Sequence, residues 1–168
     1  NVDLASRSGR VARQGQGLAT QLSFLSRTST ASVGISTMDA CCPEQICSLM
    51  LSGLPLSGYL HTASAFGSSL LGSPDMASSL WLHMDGPKPR GGAHLRNATH
   101  QLGLQTMLNH SSLAALAQSH IYTGTAAYAA ANAYLDTLSA RTRQRGVAST
   151  SLQMANVASQ VRALLSKV

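Results

Sequence analysis

The sequence predicts an α/β fold with a mostly parallel sheet and flanking helices. Three observations carry this expectation. Short apolar or alternating runs are separated by segments with helical spacing. Strand and helix candidates alternate along the chain, which is the pattern that βαβ units leave in a sequence. The 168 residues are 44% hydrophobic and only 11% charged, enough apolar material for one buried core and too little charge for a disordered tail.

The elements follow in order. Val2 to Ala5 reads as a strand and Ser6 to Arg10 as a polar turn. Leu18, Leu22 and Leu25 share one face of a helix over 17–25. Val33 and Ile35 mark a strand over 31–38. Pro43 sits where a helix starts, and the helix runs to Leu51. Gly58 to Ala63 is a strand. Ser73-Pro74-Asp75 has the cap, first-turn proline and acidic residue of a helix start, with the helix reaching Met84. Gly86-Pro87-Lys88-Pro89 is expected to interrupt it, and a helix resumes over 92–101. A buried strand is expected over 104–108. The clearest helix spans 125–145 and stops at Gly146. A strand over 148–153 and a helix over 158–165 complete the chain.

Charge and cysteine content narrow the functional classes. The net charge is +6, and the arginines cluster at Arg7, Arg10, Arg13 and at Arg141, Arg143, Arg145. Neither cluster is interleaved with aromatic residues, so nucleic acid is not the expected partner. No run approaches the roughly 18 apolar residues that span a bilayer, so no membrane span is expected. Cys41, Cys42 and Cys47 lack the paired half-sites of a zinc centre, so no metal is expected, and reduced thiols suit a cytoplasmic protein.

The chemistry concentrates in the best helix. Tyr128 and Asn132 are separated by four positions and share a face, with only alanine between them. Read alone, this fits a packed alanine-rich helix with a core tyrosine. The longer stretch Ala126-Ala-Tyr-Ala-Ala-Ala-Asn-Ala-Tyr-Leu-Asp136 resembles the active-site helix of ketoreductase domains from polyketide and fatty acid synthases, members of the short-chain dehydrogenase/reductase superfamily.

Further segments resemble that family in the family's own order. Leu4-Ala-Ser-Arg-Ser-Gly-Arg10 resembles the end of its second strand, which implies that Arg7, beside Ser6, meets the 2′-phosphate of NADPH. A guanidinium offers forked donors suited to a phosphate. Met38-Asp39-Ala40 resembles the motif whose aspartate meets the adenine. Leu60-His-Thr-Ala-Ser64 resembles the turn beside the cofactor, which implicates His61 and Ala63; Ser64 stands where the family has glycine. Gly86-Pro-Lys-Pro-Arg-Gly-Gly resembles the segment bearing a displaced catalytic lysine, here Lys88, with Asn132 in the position the wider superfamily gives to lysine. Leu108-Asn-His-Ser-Ser-Leu-Ala-Ala115 resembles the fifth strand and its Ser-Ser turn. Ser112 is the implied catalytic serine, with Ser111 as the neighbouring choice. Ser112 lies farther from Tyr128 than the family spacing, so extra residues around Ala117 to His120 are expected to loop out. Met154-Ala155 replaces the family's Trp-Gly pair.

The resemblance implies a Rossmann-like fold lacking its first strand and glycine-rich turn, so that residues 1–168 form a partial ketoreductase domain from the second strand onward. It implies NADPH-dependent reduction of a β-ketoacyl thioester, carried by the phosphopantetheine of an acyl carrier protein, alongside other synthase domains in one polypeptide. The 168 residues by themselves are expected to be inactive and to hold NADPH weakly. The competing expectation is a degenerate, non-catalytic ketoreductase remnant with a structural or interaction role.

Overall fold

The computed structural model describes residues 1–11, 17–30, 32–52, 55–70, 80–100, 102–116 and 124–155. Five strands are defined there: β1 (Val2–Ser6), β2 (Val33–Thr37), β3 (Gly58–His61), β4 (Thr106–Ser112) and β5 (Ser149–Met154). Five α-helices accompany them: α1 (Leu18–Thr28), α2 (Pro43–Leu51), α3 (Trp81–Asp85), α4 (Gly91–Thr99) and α5 (Ala126–Gln144). Every strand pair is parallel, as expected, and the described strands form two sheets, β1–β2 and β3–β4–β5.

Local sequence explains most boundaries. Gly17 caps α1 with a positive φ of 72°, a conformation that glycine adopts without strain. Pro43 occupies the first turn of α2 beside Glu44, and Ile46 is fully buried. At the start of β3 a glycine is required, because a side-chain carbon at Gly58 would lie 2.4 Å from the Thr106 carbonyl oxygen across the sheet. α5 packs across β4 and β5, with Ala127, Ala131, Leu135 and Ser139 on its buried face. Met107 of β4, Leu95 of α4 and Met84 of α3 complete the centre of the core.

Two expectations are corrected. Gly86 to Pro89 does not break the helix. Gly86–Arg90 is a π-helical turn that joins α3 directly to α4. Proline's fixed φ is helical, and a wider turn tolerates the missing N–H and the ring that an α-helix would reject. The strand expected over 104–108 instead runs from Thr106 through both serines, so Ser111 and Ser112 close β4 rather than forming a turn. They pair with Gln153 and Met154, and ladder bonds to β5 hold them extended. The first half of the helix expected from Ser73, the looped residues around Ala117 to His120 and the helix expected over 158–165 lie outside the described residues.

Candidate functional site

Ser6, Arg7, Asp39, His61, Ala63 and Ser112 lie at or just beyond the carboxyl end of a parallel strand, and Lys88, Tyr128 and Asn132 lie on helical segments. Ser6 closes β1, Asp39 follows β2, His61 closes β3 and Ser112 closes β4. In open parallel α/β sheets, this edge is where ligands bind.

Tyr128 and Asn132 rise from the first turns of α5. The Asn132 amide Nδ2 donates to the Tyr128 carbonyl at 2.7 Å, while its Oδ1 is buried without a partner among the described residues. Ser111 Oγ donates to the Asn132 carbonyl at 3.2 Å and so ties β4 to this stretch of helix. The Tyr128 ring is half-buried and meets the Phe66 ring edge-on, with centroids 5.3 Å apart at 74°.

Lys88 comes to the same place from the π-helical turn. It is only 2% exposed. Its Nζ donates to the His110 carbonyl at 2.5 Å and lies 6.0 Å from the centre of the Tyr128 ring. Burial pushes the ammonium down to about 8, against the opposing pull of Asp136. Asp136 is itself fixed to β5, accepting from Ser151 Oγ and from Gln153 Nε2.

The two serines divide their tasks. Ser111 is engaged with α5. Ser112 Oγ accepts the Ala114 backbone N–H at 3.2 Å, which orients the oxygen while its own proton stays available to a ligand. The side chain is 9% exposed. The structure therefore brings Lys88 beside Tyr128, and Ser111 ties Asn132 to the end of β4, the strand that Ser112 closes.

The remaining residues flank this centre. Arg7 is exposed at the end of β1, and Ser6 Oγ beside it is buried without a partner among the described residues. Asp39 Oδ1 accepts the Cys41 N–H at 2.9 Å, shaping its own turn. Burial, and the Asp39 carboxylate beside the thiol, push Cys41 up to about 11, so it is no nucleophile at neutral pH. His61 is buried, with its ring turned inward, and Ala63 and Ser64 follow it at the surface of the turn.

Sequence reading did not single out the His110 carbonyl, Asp136 or the Gly91-Gly92 pair. Backbone acceptors leave no residue-type signal. The glycine doublet beside Lys88 was the one visible cue, since two glycines opening a helix must serve close packing or a turn.

Parallel strands with flanking helices form the Rossmann-like α/β fold of the short-chain dehydrogenase/reductase superfamily. The KR domain family model matches residues 1–159, and the chain belongs to that family, the ketoreductase domains of polyketide synthases. It is 36% identical over 155 residues to the pikromycin polyketide synthase component PikAIII of Streptomyces venezuelae, covering 89% of this chain and 9% of that protein. It is also 36% identical over 100 residues to the mycoketide-CoA synthase of Mycobacterium tuberculosis, covering 58% of this chain and 2% of that one. Among solved structures, A-type ketoreductases from a modular polyketide synthase align with a TM-score of 0.74 at 27% identity, over 90% of this chain and 31% of theirs. The chain thus spans a small part of the proteins it matches. Among the described residues, no helix is long and apolar enough to cross a membrane.

Proposed function

We propose that this chain supplies the catalytic centre for NADPH-dependent reduction of a β-ketoacyl thioester to the β-hydroxyacyl thioester. The observation that carries the reading is the Lys88 ammonium, anchored on β4 by the His110 carbonyl and held 6.0 Å from the centre of the Tyr128 ring. The cofactor, when bound, supplies hydride.

Each side chain then has a defined task. Ser112, with its oxygen held by Ala114 N–H, donates a hydrogen bond to the substrate carbonyl oxygen and polarises it, keeping its own proton. Tyr128 gives a proton to the oxygen as negative charge develops there. The Lys88 ammonium stabilises the phenolate left behind, and burial strengthens that attraction. Asn132 fixes the helix turn below the tyrosine, and its unpartnered Oδ1 offers an acceptor for a relaying water.

The residues at the ends of β1, β2 and β3 fit a phosphorylated dinucleotide. Arg7 offers a forked cation to the 2′-phosphate, beside the unpartnered hydroxyl of Ser6. Asp39 contributes to the adenine end. The backbone of His61 and Ala63 borders the cofactor along the turn. The substrate would arrive on the phosphopantetheine of an acyl carrier protein within the same synthase, and the net charge of +6 suits an acidic carrier.

The test is Tyr128→Phe in the natural full-length polypeptide. Consumption of NADPH with a model β-ketoacyl thioester is expected to fall by about 100-fold or more. An undiminished rate would move support to a non-catalytic structural module.

A further inference from the structure

We propose that His61 is a positioning residue, holding Lys88 in place through the lysine's own backbone carbonyl. The inference rests on the ketoreductase reading above and deepens it.

His61 closes β3, is 3% exposed and places its ring Nε2 3.3 Å from the Lys88 carbonyl oxygen, 27 positions along the chain. A carbonyl only accepts, so the Nε2 carries the proton. The same oxygen also accepts the Gly91 N–H within the π-helical turn, so both of its lone pairs are used.

The two ring carbons bonded to Nε2 face the glycines that open α4. A side-chain carbon at Gly91 would lie 3.1 Å from His61 Cε1 and 3.0 Å from Ala40 Cβ. One at Gly92 would lie 3.6 Å from His61 Cδ2 and 2.7 Å from Leu135 Cδ2. Gly91 therefore leaves the room that the imidazole takes, while Gly92 makes room for Leu135.

Lys88 is thus held at both ends. Its backbone is braced from β3 by His61, and its ammonium is anchored on β4 by the His110 carbonyl. The two strands are neighbours, with His61 opposite Asn109 in the register. Pro87 and Pro89 remove two N–H donors from this turn, and the imidazole adds a hydrogen bond to it from outside the helix. Small misplacement of such a group is costly to rate.

The charges around Lys88 are consistent with a neutral brace. Asp136 faces it from α5, His110 from β4, His61 from β3 and the Tyr128 ring from α5. Burial, with the Lys88 charge adding to it, pushes His61 down to about 4, so the ring adds no second cation beside the ammonium at neutral pH.

The experiment compares His61→Phe, His61→Gln, Gly91→Ala and Lys88→Met in the natural full-length polypeptide, by NADPH-dependent reduction of a model β-ketoacyl thioester across pH. The ring without a donor, His61→Phe, should lower kcat about tenfold and leave KM for NADPH within about twofold. It should also move the alkaline limb set by Lys88 upward by about one pH unit, as the loosened ammonium regains solvent. Glutamine keeps an N–H donor and should restore most of kcat. Gly91→Ala presses on the ring at Cε1, next to Nε2, and should reproduce the kcat loss, which keeps the test decisive if His61→Phe fails to fold. A raised KM with kcat and the alkaline limb unchanged would overturn the brace. So would Gly91→Ala or His61→Phe at wild-type kcat while Lys88→Met has lost its rate. Lys88→Met at wild-type kcat would instead overturn the catalytic reading on which the brace depends.

Discussion

Residues 2–37 and residues 58–154 use the same building plan, parallel strands joined by a crossing helix, and end in opposite states of burial. In the first region, β1 pairs with β2 over five residues, yet Val2, Leu4 and Ile35 remain exposed, and α1 buries no residue. Phe24 of α1 is 59% exposed. In the second region, α5 covers β4 and β5, Leu135 is fully buried and the strand carries alternating buried side chains. Parallel sheets are ordinarily covered on both faces. The difference teaches that hydrogen-bonded pairing defines a strand, whereas a core needs a second layer. The precise placement of Lys88, Tyr128 and Ser112 occurs only where that second layer exists.

The comparison can be broken most directly by truncating an equivalent leucine in each region. Leu135→Ala is expected to destabilise the protein by about 2–5 kcal/mol, because it opens a cavity against Gly92. Leu25→Ala in α1 should cost no more than about 0.5 kcal/mol. Chemical denaturation of the natural polypeptide measures both. A large loss at Leu25 would mean that the α1 face is covered there.

Lys88 sharpens the contrast through pH. Its value falls from 10.5 to about 8 in the folded state, so the unfolded chain binds more protons between those limits. Stability from this group therefore rises with pH from about 8 to 10.5, by up to about 3 kcal/mol. Lys88→Met should flatten that rise and stabilise the fold at neutral pH, while abolishing the rate assigned to it. Denaturation midpoints across pH provide the measurement, and an unchanged slope in Lys88→Met would refute the assignment.

A smaller effect is expected at Asp136, which joins α5 to β5 through Ser151 and Gln153. Asp136→Asn should cost about 1–3 kcal/mol, the loss of charge-assisted hydrogen bonds. It also removes the charge that raises Lys88, so the alkaline limb of the rate profile should move to lower pH. A limb that stayed in place would show that Lys88 does not set it.

Much of this was legible in the sequence, for reasons that differ by residue. Tyr128 and Asn132 could be placed on one helix face because an alanine-rich segment leaves little competing structure. The strands ending at Ser6 and His61 were legible to within two residues, the expected strands running to Ala5 and Ala63. The π-helical turn was not, because proline and glycine argue locally for a break, and tertiary packing against α5 overrode that preference. The division of labour between Ser111 and Ser112 was not legible either. It depends on β4 extending to Ser112 and on which side of the strand meets α5. The inward turn of the His61 imidazole depends on the room left by Gly91, which meets it only after folding.

The register between β3 and β4 has a kinetic consequence. Gly58 pairs with Thr106, and Met107 in turn with Ser149, so each contact joins residues more than forty positions apart. No hairpin can start this sheet, and loop-closure entropy must be overcome before any of its ladder forms. During synthesis β3 must wait for β4, and β4 for β5, with its edges open. The strand end beside Tyr128 is thus built from contacts that close loops of more than forty residues.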